Sequence, residues 1–399
     1  MADASCSQNT NDKNDGDISK GGSAKAKLNQ AVLERLQAAV KANPEIDLPS
    51  KFPLIHKRAV YEQELMKPTS FKLDNLKFTG LPKPTGPPNF CADLVARARN
   101  AEIVYALSDE ARKFLSSYIK AEFQGSELID SSLVSSLSQM ILSCERLWEL
   151  PTRGVVLKCN TNLIAKIIRG NSNYTEYTSI QYLAEHAPEI PAPKPHGLVK
   201  FHNVRILFMT HFPSMTLESA WPKLIHEDKI SIQKQLNDIF IKLRSLVGDS
   251  EFLGGVNSEG VQDRHLEHNM NSKTISTVAQ FENFQFSLMP PYDDLSWVKF
   301  LRSLLPPAPS TTVFTHGDVR PANIMVDIDE TGKYFVTGII DWETSGFYPE
   351  YFESVTMLYL FNINKEEDWW QYLPPCITPA RHLERWLVGR LWDQAVHGV

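Results

Sequence analysis

The stretch FTHGDVRPANIMVD, residues 314–327, holds a carboxylate and a carboxamide, Asp318 and Asn323, with four residues between them. An apolar run follows Asn323, and after a DETGK turn a second apolar run, YFVTGIID, ends in Asp341. Two apolar runs joined by such a turn predict a β-hairpin, whose open end would bring Asn323 and Asp341 together. An amide oxygen and a carboxylate are hard ligands of the kind that Mg²⁺ prefers. The spacing therefore predicts a metal site formed by Asn323 and Asp341.

Asp318 and Arg320 are the other candidates for chemistry on this loop. With the metal held by Asn323 and Asp341, the Asp318 carboxylate is predicted to accept a proton from an attacking hydroxyl. Arg320 would add a positive charge near a transferring phosphate. The interval D-x-x-x-x-N is that of kinase catalytic loops, in which a later aspartate also binds Mg²⁺. The pattern predicts phosphoryl transfer with Asp318 and Arg320 as the catalytic residues.

The elements that must position these groups fall into two regions. From 144 to 212, short β-rich runs such as GVVLKC and NLIAKII alternate with turns and predict a small antiparallel sheet, with one helix at 174–187. From 213 onward the pattern is mostly helical apart from the hairpin, with a strongly amphipathic helix at 228–247. A β-rich lobe followed by a helical lobe predicts an α+β fold with a cleft between the lobes.

The first 143 residues are predicted to have two parts. Residues 1–27 consist mainly of polar residues and glycine, and we expect a disordered tail because such a segment buries too little apolar surface. Residues 28–143 are predicted to form an N-terminal helical and Pro-rich extension of unknown role. Its expected elements are an amphipathic helix, a Pro-rich connector and two further helices, at 28–40, 44–90, 92–122 and 129–143.

Composition excludes several function classes. The 399 residues carry 41 basic and 47 acidic side chains and a formal net charge of −6, without the basic excess that nucleic acid or an anionic membrane attracts. The five cysteines form no C-x-x-C pair, which disfavours a zinc site and a disulfide framework. No apolar run approaches the roughly 18 residues of a membrane helix, and the N-terminus lacks an apolar signal region. We expect a cytoplasmic protein without membrane or nucleic-acid partners; its oligomeric state is left open.

The segments FTHGDVRPANIMVD and GIIDWETSGFYPEYFE resemble the aminoglycoside phosphotransferase and choline kinase superfamily, in the branch common in filamentous fungi. The resemblance covers about residues 144–399. It implies the two-lobed protein-kinase-like fold, with an N-lobe at 144–212 and a C-lobe with the catalytic loop at 213–399. It also implies an enzyme that uses ATP and Mg²⁺ and transfers the γ-phosphate to a hydroxyl of a small-molecule acceptor.

The same resemblance implies nucleotide-binding residues in the N-lobe. Lys166, in NLIAKII, resembles the strand lysine that contacts the α- and β-phosphates, and Glu176 resembles the helix glutamate that pairs with it. The segment from Met209 to Phe212 resembles the hinge whose backbone meets adenine, with Met209 and His211 as the candidate contacts. The alternative is that Lys166 and Glu176 are surface charges.

Two features depart from typical kinases. Between the predicted strands RLWEL and GVVLKC there is only PTRG, with Gly154, and no G-x-G-x-x-G loop. This departure keeps open a non-catalytic nucleotide-binding or regulatory protein on the same fold. Asp341 is followed within a few residues by YPEYFE, which leaves too little chain for an activation loop and disfavours a protein kinase.

The acceptor is not identified by the sequence. Acidic residues at 350–370 would suit a cationic amine or form a solvated helix face: Glu350, Glu353, Glu366, Glu367 and Asp368. Glu343 is expected either to support a metal ligand or to be a surface acid.

Overall fold

A computed structural model divides the chain into two compact units, residues 1–85 and 86–399. It describes residues 33, 34, 37, 41, 89–118, 130–150, 152–170, 173–248, 252–262, 275–286, 296–357 and 368–397. In the first unit the described residues are helical and exposed, and three of them lie within the helix predicted at 28–40. The predicted tail at 1–27 and nearly all of the predicted connector lie outside the described residues.

The second unit begins with a six-stranded antiparallel sheet of strand order β1-β5-β6-β4-β3-β2. The strands are β1 Ala101–Tyr105, β2 Glu145–Leu150, β3 Gly154–Lys158, β4 Leu163–Arg169, β5 Pro195–Phe201 and β6 Val204–Thr210. Side chains alternate between the two faces of a strand. In β4, Leu163, Ala165 and Ile167 are fully buried on one face, so Lys166 lies on the other.

Helices cover the sheet face that carries those apolar β4 residues. They are α1 Phe90–Arg97, α2 Asp109–Ser116 and α3 Asp130–Ser143. Their apolar residues, Leu94, Leu115 and Leu137 among them, share one buried cluster with the sheet. A further helix, α4 Thr175–His186, connects β4 to β5 near the helix predicted at 174–187 and carries Glu176.

The prediction of one helix at 92–122 is wrong in its middle. Ala101–Tyr105 forms β1, an edge strand in which Ala101 pairs with Phe201 and Ile103 with Val199. Ile103 and Val104 are β-branched residues, which favour strands, and their partner strand β5 lies about a hundred residues later in the chain. A local helical pattern does not reveal such a distant partner. The sheet therefore extends into the segment 28–143, while the division into domains stays a prediction.

The other described residues of this unit form more helix than strand and include two small sheets. Strands β9 Ile324–Ile328 and β10 Tyr334–Ile339 form the predicted hairpin and continue to β7 Met215–Thr216, and β8 Thr312–Thr315 pairs with β11 Gly346–Pro349. The helices are α5 Leu217–Ala220, α6 His226–Arg244, α7 Val278–Phe286, α8 Ser296–Ser303, α9 Phe352–Thr356 and α10 Leu383–His397. Among the described residues, no helix has both the length and the apolar character needed to span a membrane. The predicted α+β fold class is confirmed.

Candidate active site

The loop from His316 to Asn323 connects β8 to β9 and is held in the protein interior. All four residues of β8 are buried, and Asp318 and Asn323 are each 3% exposed. Gly317 has φ of +80°, and a Cβ there would lie 2.8 Å from the carbonyl oxygen of Thr344. Only glycine fits this turn without strain. The sequence His-Gly-Asp thus turns the chain sharply and places Asp318 at the start of the loop.

The side chain of Glu353, on α9, holds this turn through hydrogen bonds to its backbone. Its fully buried carboxylate accepts hydrogen bonds from the backbone N–H groups of His316, at 2.7 Å, and Gly317, at 2.9 Å. Burial raises the pKa of Glu353, although His316 and these two N–H groups favour its ionised form. Since both oxygens bind backbone and the side chain is fully buried, Glu353 supports the loop. The two alternatives that the sequence left open for it, an acid for a cationic amine and part of a solvated helix face, are both wrong.

The structure brings Asp318, Arg320 and Asn323 together. The Asn323 side-chain amide donates to Asp318 Oδ2 at 2.6 Å and to the Asp318 carbonyl at 2.9 Å. Arg320 Nε lies 3.3 Å from Asp318 Oδ2, and its Nη2 lies 3.9 Å from Asp341 Oδ2. The Asp318 carboxylate is therefore oriented by two neighbours on its own loop, and Arg320 connects this loop to Asp341.

Asp341 follows β10 and lies beside Asn323. The hairpin pairs Ile339 with Ile324, and the Ile340 N–H donates to the carbonyl of Asn323 at 2.9 Å. Asp341 has φ of +70°, a conformation uncommon for residues other than glycine and often found at functional sites. The open end of the hairpin thus brings these two residues together, while their role as metal ligands stays a prediction.

Lys166 reaches from β4 to two carboxylates. Its Nζ lies 2.5 Å from Asp341 Oδ1 and 2.7 Å from Glu176 Oε2. Burial lowers the pKa of Lys166, but Asp341 and Glu176 outweigh that effect and hold the pKa above its ordinary value, so the lysine is charged. Its side chain is 13% exposed and that of Glu176 is 6% exposed. The alternative that these two residues are surface charges is wrong.

Three carboxylates meet at this point. Glu176, Asp341 and Glu343 each offer a ligand oxygen within 4.8 Å of the others. Burial raises the pKa of Glu176 to about 7 against the opposing effect of Lys166, and Asp341 and Glu343 add to the rise. Three cationic side chains, Lys166, Arg320 and Arg153, lie beside these carboxylates, whose oxygens are also of the kind that a divalent cation takes. Sequence reasoning included Glu343 only as a possible supporting residue, on the basis of its nearness to Asp341.

The segment 252–262, between α6 and α7, holds α4 and the residue range just before it in place through side-chain hydrogen bonds. Thr178 Oγ1 donates to Glu259 Oε1 at 2.5 Å, and the Asn173 side-chain amide donates to Gln262 Oε1 at 2.7 Å. The same segment exchanges two backbone hydrogen bonds with β11 through Gly254. It thereby ties the helix that carries Glu176 to the part of the chain that follows Asp341. Sequence reasoning missed this segment, which has no periodic pattern.

The described contacts of Met209 and His211 are with residues outside the charged cluster. Met209 is a core residue of β6, 3% exposed and paired with Ile164. The His211 N–H donates to the Asn162 carbonyl at 2.8 Å, and its ring Nδ1 lies 3.1 Å from the Thr161 carbonyl. The structure does not bring these two side chains to the charged cluster, and their contact with adenine stays a prediction.

A sequence profile for the phosphotransferase enzyme family matches residues 171–373, just over half of the chain. The chain belongs to this family. The predicted resemblance and the predicted class of enzyme are thus confirmed, while the narrower fungal branch stays a prediction.

Solved structures with a similar fold include aminoglycoside phosphotransferases. A thermostable mutant of APH(4)-Ia in complex with ADP and hygromycin B is 15% identical, with coverage of 64% of this chain and 88% of that chain and a TM-score of 0.41. The streptomycin–ATP complex of APH(2")-IIa is 12% identical, with coverage of 68% and 88% and a TM-score of 0.42. A protein assigned as a fructosamine-3-kinase from Haemophilus somnus 129PT is 14% identical, with coverage of 64% and 84% and a TM-score of 0.41. No curated protein sequence matches the chain.

Proposed function

We propose that the chain is an ATP- and Mg²⁺-dependent phosphotransferase that moves the γ-phosphate to a hydroxyl of a small molecule. The observation that supports this most strongly is the continuous charged site that joins the loop to the sheet. Arg320 contacts both Asp318 and Asp341, and Asp341 in turn contacts Lys166. The residues that we propose as the base, as a metal ligand and as the phosphate-binding lysine thus belong to one connected set of side chains.

Asn323 and Asp341 are the proposed Mg²⁺ ligands, and the donor set fits this ion. The carboxylates of Glu176, Asp341 and Glu343 lie within 4.8 Å of one another, and carboxylate and amide oxygens are the ligands that Mg²⁺ takes. When bound, Mg²⁺ neutralises charge on the β- and γ-phosphates.

The side chains of this site have separable roles in the proposed reaction. Lys166 binds phosphate oxygens, and Arg320 balances charge on the transferred group. Asp318 accepts the proton of the acceptor hydroxyl as its oxygen bonds to the γ-phosphorus. The bond from the γ-phosphorus to the oxygen that bridges it to the β-phosphate breaks, and ADP leaves. Asn323 also orients the Asp318 carboxylate through its amide, 2.6 Å from Oδ2.

A non-catalytic nucleotide-binding protein is the alternative, and the short turn before Gly154 favours it because no Gly-rich loop covers the phosphates. The position of Asp318, which is buried and held by Asn323 and Arg320, argues for catalysis. A cytoplasmic location and the lack of nucleic-acid or membrane partners stay predictions from composition.

Transfer of labelled γ-phosphate tests the proposed function. The purified chain is incubated with Mg²⁺, ATP and a panel of small hydroxylated compounds that includes sugars and amino alcohols. We expect a labelled small-molecule product that disappears when EDTA removes Mg²⁺. ATP binding without any labelled product across the panel would favour the non-catalytic alternative, and label on a protein substrate would favour a protein kinase.

A further inference from the structure

The turn between β2 and β3 takes the place of a phosphate-binding loop, but it is short and one of its backbone N–H groups is already bonded. Leu150 pairs with Gly154, so only residues 151–153 connect the two strands. The Arg153 N–H donates to the Leu150 carbonyl at 2.9 Å, and the Arg153 carbonyl accepts from the Arg169 N–H at 3.0 Å. A Gly-rich loop covers nucleotide phosphates in kinases. This turn is too short and its Arg153 N–H is already bonded.

Gly154 holds the turn close to the sheet. A Cβ at this position would lie 1.9 Å from the backbone carbonyl oxygen of Ile167, so no other residue fits without a shift of the backbone. Ile167 is the neighbour of Lys166 on β4. The turn is thereby fixed beside the strand that carries the proposed phosphate-binding lysine.

The Arg153 side chain extends from this turn to the carboxylate cluster. Its Nη2 lies 2.6 Å from Glu343 Oε1. The Glu343 carboxylate lies within 4.8 Å of ligand oxygens of Asp341 and Glu176, the two partners of Lys166. The guanidinium of Arg153 and the ammonium of Lys166 therefore contact the same group of carboxylates.

We propose that Arg153 binds the β- and γ-phosphates of the nucleotide with its guanidinium and so replaces the backbone N–H groups of the missing Gly-rich loop. The inference rests on the proposed function, because it requires ATP to bind beside Lys166. Guanidinium has a planar fork of donors that matches two phosphate oxygens at once, which a lysine ammonium does not.

Glu343 holds Arg153 until the nucleotide binds. The Arg153 side chain is 44% exposed, and an ion pair so open to water contributes little to stability. Phosphate oxygens, which carry more negative charge, compete well for the guanidinium. The Glu343 carboxylate would then be available to a bound Mg²⁺, which would balance the charge that Arg153 no longer balances.

Calorimetric titration of the full chain with ATP and with adenosine tests this role. We expect Arg153→Gln to weaken Mg²⁺-ATP binding by about tenfold to a hundredfold, as for the loss of charge-assisted hydrogen bonds, and to leave adenosine binding unchanged. Arg153→Lys should restore only part of the loss. The matched control is Arg146→Gln, which removes an arginine of the same hairpin that is 39% exposed and paired with Glu149 at 2.8 Å, and it should bind ATP as the unmodified chain does.

A second comparison, in EDTA without Mg²⁺, tests the exchange with Glu343. Glu343→Gln should tighten ATP binding several-fold because it releases Arg153, and the gain should disappear in the double variant with Arg153→Gln. Equal ATP affinity of Arg153→Gln and Arg146→Gln would overturn the inference and leave the proposed function intact. Equal weakening of ATP and adenosine by Arg153→Gln would show a purely structural role and also overturn it. An unmodified chain that binds no ATP would overturn both.

Discussion

Replacing Asp318 with asparagine should lower the rate of phosphate transfer by about 10³-fold, within the range that general base catalysis contributes. An asparagine oxygen can still accept the hydrogen bond that Asn323 donates to Asp318 Oδ2 at 2.6 Å, so the loop should keep its shape. The amide cannot take the acceptor proton. We therefore expect Mg²⁺-ATP affinity to remain near that of the unmodified chain while ADP formation in the presence of an acceptor nearly stops.

Asp327→Asn is the matched control for this substitution. Asp327 lies on β9 of the same hairpin, is exposed, and accepts a hydrogen bond from the Ile328 N–H at 2.8 Å. It should transfer phosphate at the unmodified rate. Asp318→Asn transferring as fast as Asp327→Asn would exclude Asp318 as the base, whereas loss of ATP binding together with activity would point to a structural defect.

Replacing Glu353 with alanine should destabilise the protein by about 3–5 kcal/mol, the magnitude expected when one partner of a buried charged network is removed. The N–H groups of His316 and Gly317 would be left without their acceptor in a fully buried site. Because these two residues precede Asp318, activity should fall as well. Unfolding in urea, followed by circular dichroism, measures the change in the free energy of unfolding.

Two further variants test whether the loss of stability comes from the Glu353 carboxylate or would follow from removing any acidic residue nearby. Glu353→Gln fills the same volume and can accept only one of the two N–H groups well, so its loss of stability should lie between those of Glu353→Ala and the unmodified chain. Glu350→Ala is the control, because it removes a partly exposed acid three positions earlier. The backbone carbonyl of residue 350 still accepts its hydrogen bond from Arg244. A loss for Glu353→Ala as small as that for Glu350→Ala would refute the support role.

The hairpin that carries Asn323 and Asp341 was predictable because its information is local. Two apolar runs and a turn fix which residues meet at its open end, and the pairing of Ile339 with Ile324 follows that pattern. Asp318 and Arg320 lie on the loop just before it. The proximity of these residues therefore follows from residue type and spacing within about thirty positions of sequence.

The rest of the site depends on contacts between distant segments. Lys166 meets Asp341 from 175 positions away, whereas the family resemblance implied only its contact with phosphates and its pairing with Glu176. The contact of Arg153 with Glu343 spans 190 positions and was not predicted. For Glu353 the sequence left open an acid for a cationic acceptor or part of a solvated helix face, because sequence alone does not show that a carboxylate is buried against backbone N–H groups. Packing between residues far apart in the sequence determines which of these side chains are buried and what they contact.

Asp368 illustrates the same limit. The sequence left open an acid for a cationic acceptor or part of a solvated helix face. In the structure both of its oxygens contact Lys229 Nζ at 2.8 Å, and one accepts from the Trp221 indole N–H at 2.7 Å. Glu366 and Glu367, from the same group of candidates, lie outside the described residues. The acceptor site thus requires direct identification by labelled products.

The most direct test of the proposed site is calorimetric titration of Mg²⁺-ATP into the unmodified chain and into Asp341→Ala. We predict binding in the micromolar to millimolar range that weakens at least about tenfold in Asp341→Ala, because the variant loses a charged ligand of the metal. EDTA should weaken binding by the unmodified chain to a similar extent and change the variant little. Equal affinity of the two proteins for Mg²⁺-ATP, or no binding by either at millimolar ATP, would contradict a metal-bridged nucleotide held by Asp341.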